Sequence, residues 1–162
     1  MDINIRKAIE SDIDSMTLIY NDSIKLFPSN IRKESDYDLF KDIFNNSIVY
    51  IAEKSNISKS IGWIAYNNYP EYTFIVGLYL LIDEQRKGIG NKLLNHCIDT
   101  LKKENCKLIT LNVLKKAPWS IEFYKKNGFM IYDTAFENGN DLNILKTRTI
   151  NDWELLMYKI LL

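Results

Sequence analysis

The chain has 162 residues and a mass of 19.0 kDa, with 21 Lys and Arg against 21 Asp and Glu and a single His. That length suits one domain and leaves little room for two, so residues 1–162 are read as a single domain. A composition 46% hydrophobic and 12% aromatic is enough for a core and excludes a disordered chain; zero net charge excludes a uniformly basic nucleic-acid binder.

No long apolar run follows the basic start of the N-terminus, so no signal peptide is expected there. The longest apolar stretch, Phe74 to Ile82, is far shorter than the roughly 20 residues that span a bilayer. Cys97 and Cys106 are too few for a secreted disulfide framework. No His or Cys pair sits at ligand spacing, so no metal is expected. The expectation is a soluble, cytoplasmic protein without membrane or nucleic-acid partners.

Ile3–Ile9 reads as a short edge strand. Ser11 is the expected N-cap of a helix, with Asp12 and Asp14 in its first turn and Ile13, Met16, Ile19, Tyr20 and Ile24 at helical spacing. Phe27-Pro28-Ser29-Asn30 ends it, and a second helix over Ser35–Asn45 buries Leu39, Phe40, Ile43 and Phe44. Ile48–Glu53 and Ser60–Tyr66 read as strands, and Thr73–Ile82 as a longer one covered on both faces. Gly88 to Glu104 forms a helix, Leu108–Val113 a strand, and Pro118–Asn127 a helix that Gly128 closes. Phe129–Ala135 and Trp153–Leu161 read as two last strands around a polar loop. The order β-α-α-β-β-β-α-β-α-β-β makes the fold class α/β, a mixed sheet with helices on both faces.

Chemistry concentrates where the long strand meets the next helix, at Gln85-Arg86-Lys87-Gly88-Ile89-Gly90. Gly88 and Gly90 let a ligand approach the backbone, and the amides and dipole of a helix N-terminus suit a phosphate. The alternative is a tight turn and nothing more. A dinucleotide fingerprint needs a third glycine where Leu93 stands, and a Walker A loop needs a different pattern, so both drop out.

This segment resembles the Q/R-x-x-G-x-G/A motif of the GNAT superfamily of N-acetyltransferases. Ser120-Ile121-Glu122-Phe123-Tyr124-Lys125-Lys126-Asn127-Gly128-Phe129 is similar to that family's A-I-x-F-Y-E-K-x-G-F segment, and the element order agrees along the chain. The resemblance implies a mostly antiparallel sheet and acetyl-CoA as co-substrate. It implies that Leu80, Leu81 and Ile82 offer backbone groups to the pantetheine arm. Gln85, Arg86, Lys87, Gly88, Ile89, Gly90, Asn91, Lys92 and Leu93 would bind the pyrophosphate. A strand amide would also face the thioester oxygen. Tyr124 would protonate the departing thiolate, as a phenol ordinarily protonated at neutral pH can do.

Two positions depart from the family. Ala117 stands where an Asn contacts the cofactor, and Asn112 where some members keep a glutamate base. Glu53, Glu71 and Asp83 are candidate bases by type alone. Cys97 falls on the buried side of its helix, which disfavours an acyl-cysteine route, and His96 is a boundary residue. The resemblance places the acceptor pocket at the first two helices and the loop between the last strands. Tyr20, Asn21, Phe27, Tyr37, Phe40 and the Phe136–Asp141 loop either line it or pack in the core. The acceptor is a primary amine of a small molecule or peptide; a non-catalytic acyl-CoA-binding module, another acyl group and a homodimer stay open. The balanced charge hides a division: Arg86 to Lys126 holds ten basic residues against three acidic ones, a net of +7 that leaves −7 elsewhere. The basic block coincides with the segment assigned to a polyanionic cofactor, and the acidic remainder suits a cationic amine.

Overall fold

A computed structural model of the protein describes residues 2–133, 144–145 and 150–162. Its elements run β1 (Ile3–Lys7), α1 (Ile13–Ser23), α2 (Tyr37–Asn46), β2 (Ile48–Lys54), β3 (Lys59–Asn68), β4 (Thr73–Leu80), α3 (Ile89–Lys103), β5 (Leu108–Leu114), α4 (Pro118–Lys126), β6 (Met130–Ile131) and β7 (Glu154–Ile160). This is the expected order of a mixed α/β fold. Two compact units share these elements: residues 1–67 with 75–104, and residues 68–74 with 105–162.

In the first unit β1, β2 and β3 are antiparallel neighbours, and β4 lies next to β3. Its core gathers Ile13, Met16, Ile19, Tyr20, Phe40, Val49, Ile51 and Trp63. The α1 residues among these recur every three or four positions, so one stripe of the helix is buried. The buried Trp63 indole donates to the Met16 carbonyl at 3.1 Å, so a large ring is accommodated without an orphaned N–H. In the second unit β7 pairs antiparallel with both β5 and β6. Leu108, Leu145, Leu156 and Tyr158 form its core cluster.

Several boundaries differ from the sequence reading, each for a local reason. Ser11 does not cap α1: Glu10–Asp12 is a 3-10 turn, and Asp12 accepts the Ile9 N–H at 2.8 Å. Asp12 also takes two 2.8 Å hydrogen bonds from Arg6. Burial opposes ionisation of Asp12, but the Arg6 and Ile9 hydrogen bonds outweigh it and hold the carboxyl below its ordinary range. Strand β1 therefore stops at Lys7 rather than Ile9, because the chain turns into this knot. Helix α2 starts at Tyr37 rather than Ser35, with Asp36 capping it by accepting the Leu39 N–H, and Leu39 is 43% exposed rather than buried. The long strand ends at Leu80, not Ile82, since Leu81 enters a 3-10 turn closed by Glu84 N–H to Leu81 O at 2.9 Å. The strand expected over Phe129–Ala135 reduces to Met130–Ile131 among the described residues. Trp153 precedes β7 instead of starting it, and its carbonyl accepts the Lys115 N–H at 2.9 Å.

Candidate functional site

The first unit holds the glycine turn. Gln85 leaves the 3-10 turn extended, Arg86 adopts φ +61° and Gly88 φ +83°. A left-handed Arg is a strained position, of the kind that gathers where backbone amides are aimed at a ligand. Gly88 is the N-cap of α3 and no side chain caps the first amides of that helix. A Cβ built on Gly88 would meet nothing within 4 Å, so the turn presents an open surface beside the helix N-terminus. Uncapped amides, the positive end of the dipole and open space together fit a phosphate.

The other assigned residues surround this turn in different ways. Ile89, Gly90 and Leu93 are buried and anchor α3, whereas Asn91 and Lys92 are exposed. Gln85 reaches back to donate to the Leu80 carbonyl at 3.3 Å, tying the loop to the strand end. Gly62 on β3 makes room for that end, since a Cβ there would lie 2.2 Å from Leu80 Cδ2 and 3.3 Å from Leu93 Cδ1. The Leu81 N–H donates to Ile61 O at 3.0 Å. By the two-residue alternation of a strand, the Leu80 N–H points away from β3. The Ile82 N–H is already taken by Asp22 Oδ2 at 2.8 Å.

Asp22 and Glu84 were not singled out in the sequence. Asp22 sits near the end of α1, and its other oxygen faces Lys25 Nζ at 3.5 Å. Its neighbour Asn21 clips the following loop with two 2.9 Å hydrogen bonds to Ser35. Glu84 is buried between Lys54 of β2 and Lys87 of the glycine turn, 3.3 Å from the latter. The Lys54 contact, then that of Lys87, holds its carboxyl below the usual range against the cost of burial. No spacing in the sequence announces either contact, because each joins groups by tertiary folding alone.

Of the acceptor-side aromatics, Tyr20 and Phe40 pack in the core, their ring centroids 5.1 Å apart and Tyr20 4.9 Å from Tyr79. Burial pushes the Tyr79 phenol up, with the Arg32 charge opposing. Phe27 carries the Arg32 guanidinium 5.7 Å from its ring centre. Tyr37, the first residue of α2, is 37% exposed. The Phe136–Asp141 loop lies outside the described residues. Among the carboxylates named by type, Glu53 pairs with Arg6 at 3.1 Å, while Glu71 and Asp83 are exposed. His96 meets the Tyr50 ring edge-on at 4.5 Å, and Cys97 is fully buried.

The second unit holds Tyr124 on α4, buried between Phe123 and Phe129 with ring centroids 5.1 and 5.5 Å away. Gly128, at φ +85°, ends the helix in the left-handed conformation, and the Phe129 N–H returns to Tyr124 O at 3.0 Å. Lys159 of β7 donates to the Asn127 carbonyl at 2.7 Å, a cation at the negative end of the dipole. Ala117 is buried at the start of α4 and offers no side-chain cap. Asn112 Oδ1 and the Tyr132 hydroxyl are buried without a hydrogen-bond partner.

The fold matches several solved structures. The PaiA N-acetyltransferase from Thermoplasma acidophilum, in complex with coenzyme A, aligns with a TM-score of 0.77 at 21% identity over 99% of this chain and 100% of that one. A GNAT-family acetyltransferase from Staphylococcus aureus gives the same figures. The ribosomal-protein-S18-alanine N-acetyltransferase of Escherichia coli aligns at 0.72 and 16% identity over 98% of this chain and 94% of that one. No helix among the described residues is long and apolar enough to cross a membrane. With the family model for the acetyltransferase (GNAT) family matching residues 16–129, across the glycine turn and the helix of Tyr124, the chain belongs to the GNAT acetyltransferases.

Proposed function

We propose that residues 1–162 work as one cytoplasmic N-acetyltransferase domain. It transfers an acetyl group from acetyl-CoA to a primary amine of a small molecule or peptide, by direct attack while both are bound. The left-handed Gly88 turn at the uncapped start of α3 carries this reading. Acetyl-CoA supplies the acyl group as an activated thioester. The Gln85–Leu93 segment binds its pyrophosphate through backbone amides, with Arg86 and Lys92 adding charge. Ile61 and Asp22 engage the amides of Leu81 and Ile82, and the Leu80 N–H, which points away from β3, serves as the strand's donor to a developing oxyanion.

The acceptor nitrogen attacks the thioester carbon directly, since Cys97 is buried and inert and Cys106 donates to the Leu108 carbonyl. Tyr124 gives its phenol proton to the departing sulfur, and the proton that the acceptor nitrogen sheds passes through water to restore the phenol. No metal is invoked. Lys115 or Lys116 reaches a phosphate in place of the cofactor contact that Ala117 cannot make. The buried Ala117 also favours a second reading, an acyl-CoA-binding module without turnover. Release of free thiol from acetyl-CoA across a panel of amines decides between the two, since binding without turnover leaves only the module. Within the enzyme reading, Tyr124→Phe slows the chemical step about 10²-fold. An unchanged rate would remove Tyr124 from the chemistry.

A further inference from the structure

We infer that the face of β5 and β7 bearing Asn112 and Tyr132 is an amide-recognition subsite, which makes the acceptor the N-terminus of a peptide; this rests on the N-acetyltransferase reading above. Asn112 Oδ1 and the Tyr132 hydroxyl are both buried and neither has a hydrogen-bond partner. Such groups are rare in a folded interior, because the hydrogen bonds lost to water have not been replaced. Two in one row of a sheet call for one explanation.

The pairing register brings them to one place. Asn112 stands opposite Leu156 across the β5–β7 ladder. On the other side of β7, the Tyr132 N–H donates to the Leu156 carbonyl at 2.8 Å. Directly opposite residues share a face, so Asn112, Leu156 and Tyr132 form one row, its ends two strand spacings apart, about 10 Å. Leu156 lies between the two ends of this row, and Tyr132 packs against the cluster that holds it. The cluster on this face is Leu108, Leu145, Leu156 and Tyr158, with Tyr72, Tyr132 and Ile144 packed against it. Residues of the opposite face, Lys159 and Phe129, meet the end of α4, so that helix does not cover the row.

The chemistry of the row selects its ligand. One end is an acceptor, the other a hydroxyl able to donate, and the floor is apolar and uncharged. A second charge brought here would lose its hydration with no counter-charge in the cluster to replace it. A neutral planar amide matches instead, giving its N–H to Asn112 Oδ1 and accepting from the Tyr132 hydroxyl. A peptide carries that group beside its α-amine; a simple alkylamine does not.

The test measures thiol release from acetyl-CoA with trialanine and with propylamine, in the wild type, Asn112→Leu and Tyr132→Phe. The wild type should favour trialanine. Each variant should lower the trialanine-to-propylamine ratio of kcat/KM roughly tenfold, as loss of one hydrogen bond in a closed site does. Melting temperatures should hold or rise, since an orphaned polar atom has been removed. A ratio unchanged in Tyr132→Phe, which keeps the ring and its packing, overturns the subsite. So does a wild type that acetylates propylamine but not trialanine. A wild type that releases thiol with neither amine nor any other overturns the N-acetyltransferase reading itself.

Discussion

Replacing Gly88 by Ala separates the backbone geometry of the glycine turn from its packing. At φ +83° an L-residue is strained by about 1–2 kcal/mol. Ala also restricts the unfolded chain, which returns about 0.4–1 kcal/mol. The added Cβ would meet no atom within 4 Å, so no clash adds to the cost. The net loss is therefore about 1 kcal/mol, a fall of about 2–4 °C in Tm for a chain of this size. The protein should stay folded. Binding is a different matter, because relief of the strain rotates the first α3 amides away from a phosphate. Losing two hydrogen bonds to a charged acceptor, at about 1.5–3 kcal/mol each, weakens CoA binding by at least about 10²-fold. Isothermal titration calorimetry with CoA reads this directly. Pantetheine, which lacks the pyrophosphate, should lose no affinity beyond what the small change in Tm implies. A Gly88→Ala protein that binds CoA within threefold of the parent would refute the phosphate role.

Gly62→Ala tests the opposite case, an allowed backbone with no room. Its Cβ would sit 2.2 Å from Leu80 Cδ2 and 3.1 Å from the Tyr79 carbonyl, so urea unfolding should show a loss of about 1–3 kcal/mol; no loss would mean that β3 and β4 give way freely. Glu84→Gln should lower stability at pH 7 by about 1–3 kcal/mol. The Glu84 carboxyl lies below its unfolded value near ~4.3, so its contribution is present above that pH and fades as pH falls through the folded value. Wild type and Glu84→Gln should thus converge as pH falls below the ordinary glutamate range, and a stability difference that does not shrink with falling pH would contradict the coupling. Lys159→Met removes the cation from the end of α4 and should cost about 1 kcal/mol. Faster amide exchange at Gly128 and Phe129 is the expected sign, and unchanged protection would show that α4 ends without it.

Much of this was legible in the sequence because the signals were local. The Gly88 turn, Pro118 at the start of α4 and Gly128 at its end are each dictated by the conformational range of one residue. The periodicity of Ile13, Met16, Ile19 and Tyr20 located the buried stripe of α1 for the same reason. What escaped were contacts between distant segments. Asp22 meets Ile82 across 60 positions and Glu84 meets Lys54 across 30, and nothing in either neighbourhood announces the partner. Tyr20 shows the converse limit, since an aromatic beside a pocket and one in a core read alike until packing is known. The basic block was legible as composition but not as placement. Lys102 and Lys103 lie in the last turn of α3, about 20 Å along a 15-residue helix from the glycine turn, and Lys87 is already paired with Glu84. Several of these lysines thus complement helix ends rather than phosphates.

The clamp from Lys159 onto Asn127 spans 32 positions of chain, and this sets an order of events during synthesis. At roughly 5–20 residues per second, some seconds separate the emergence of α4 from that of the lysine that closes it. A nine-residue helix is too short to persist by itself in water. In that interval Tyr124 belongs to a fluctuating segment, and its phenol gains a fixed direction only when β7 docks. A nascent chain can therefore complete the glycine turn while the Tyr124 side chain still lacks its fixed direction, so the two motif segments mature in sequence rather than together.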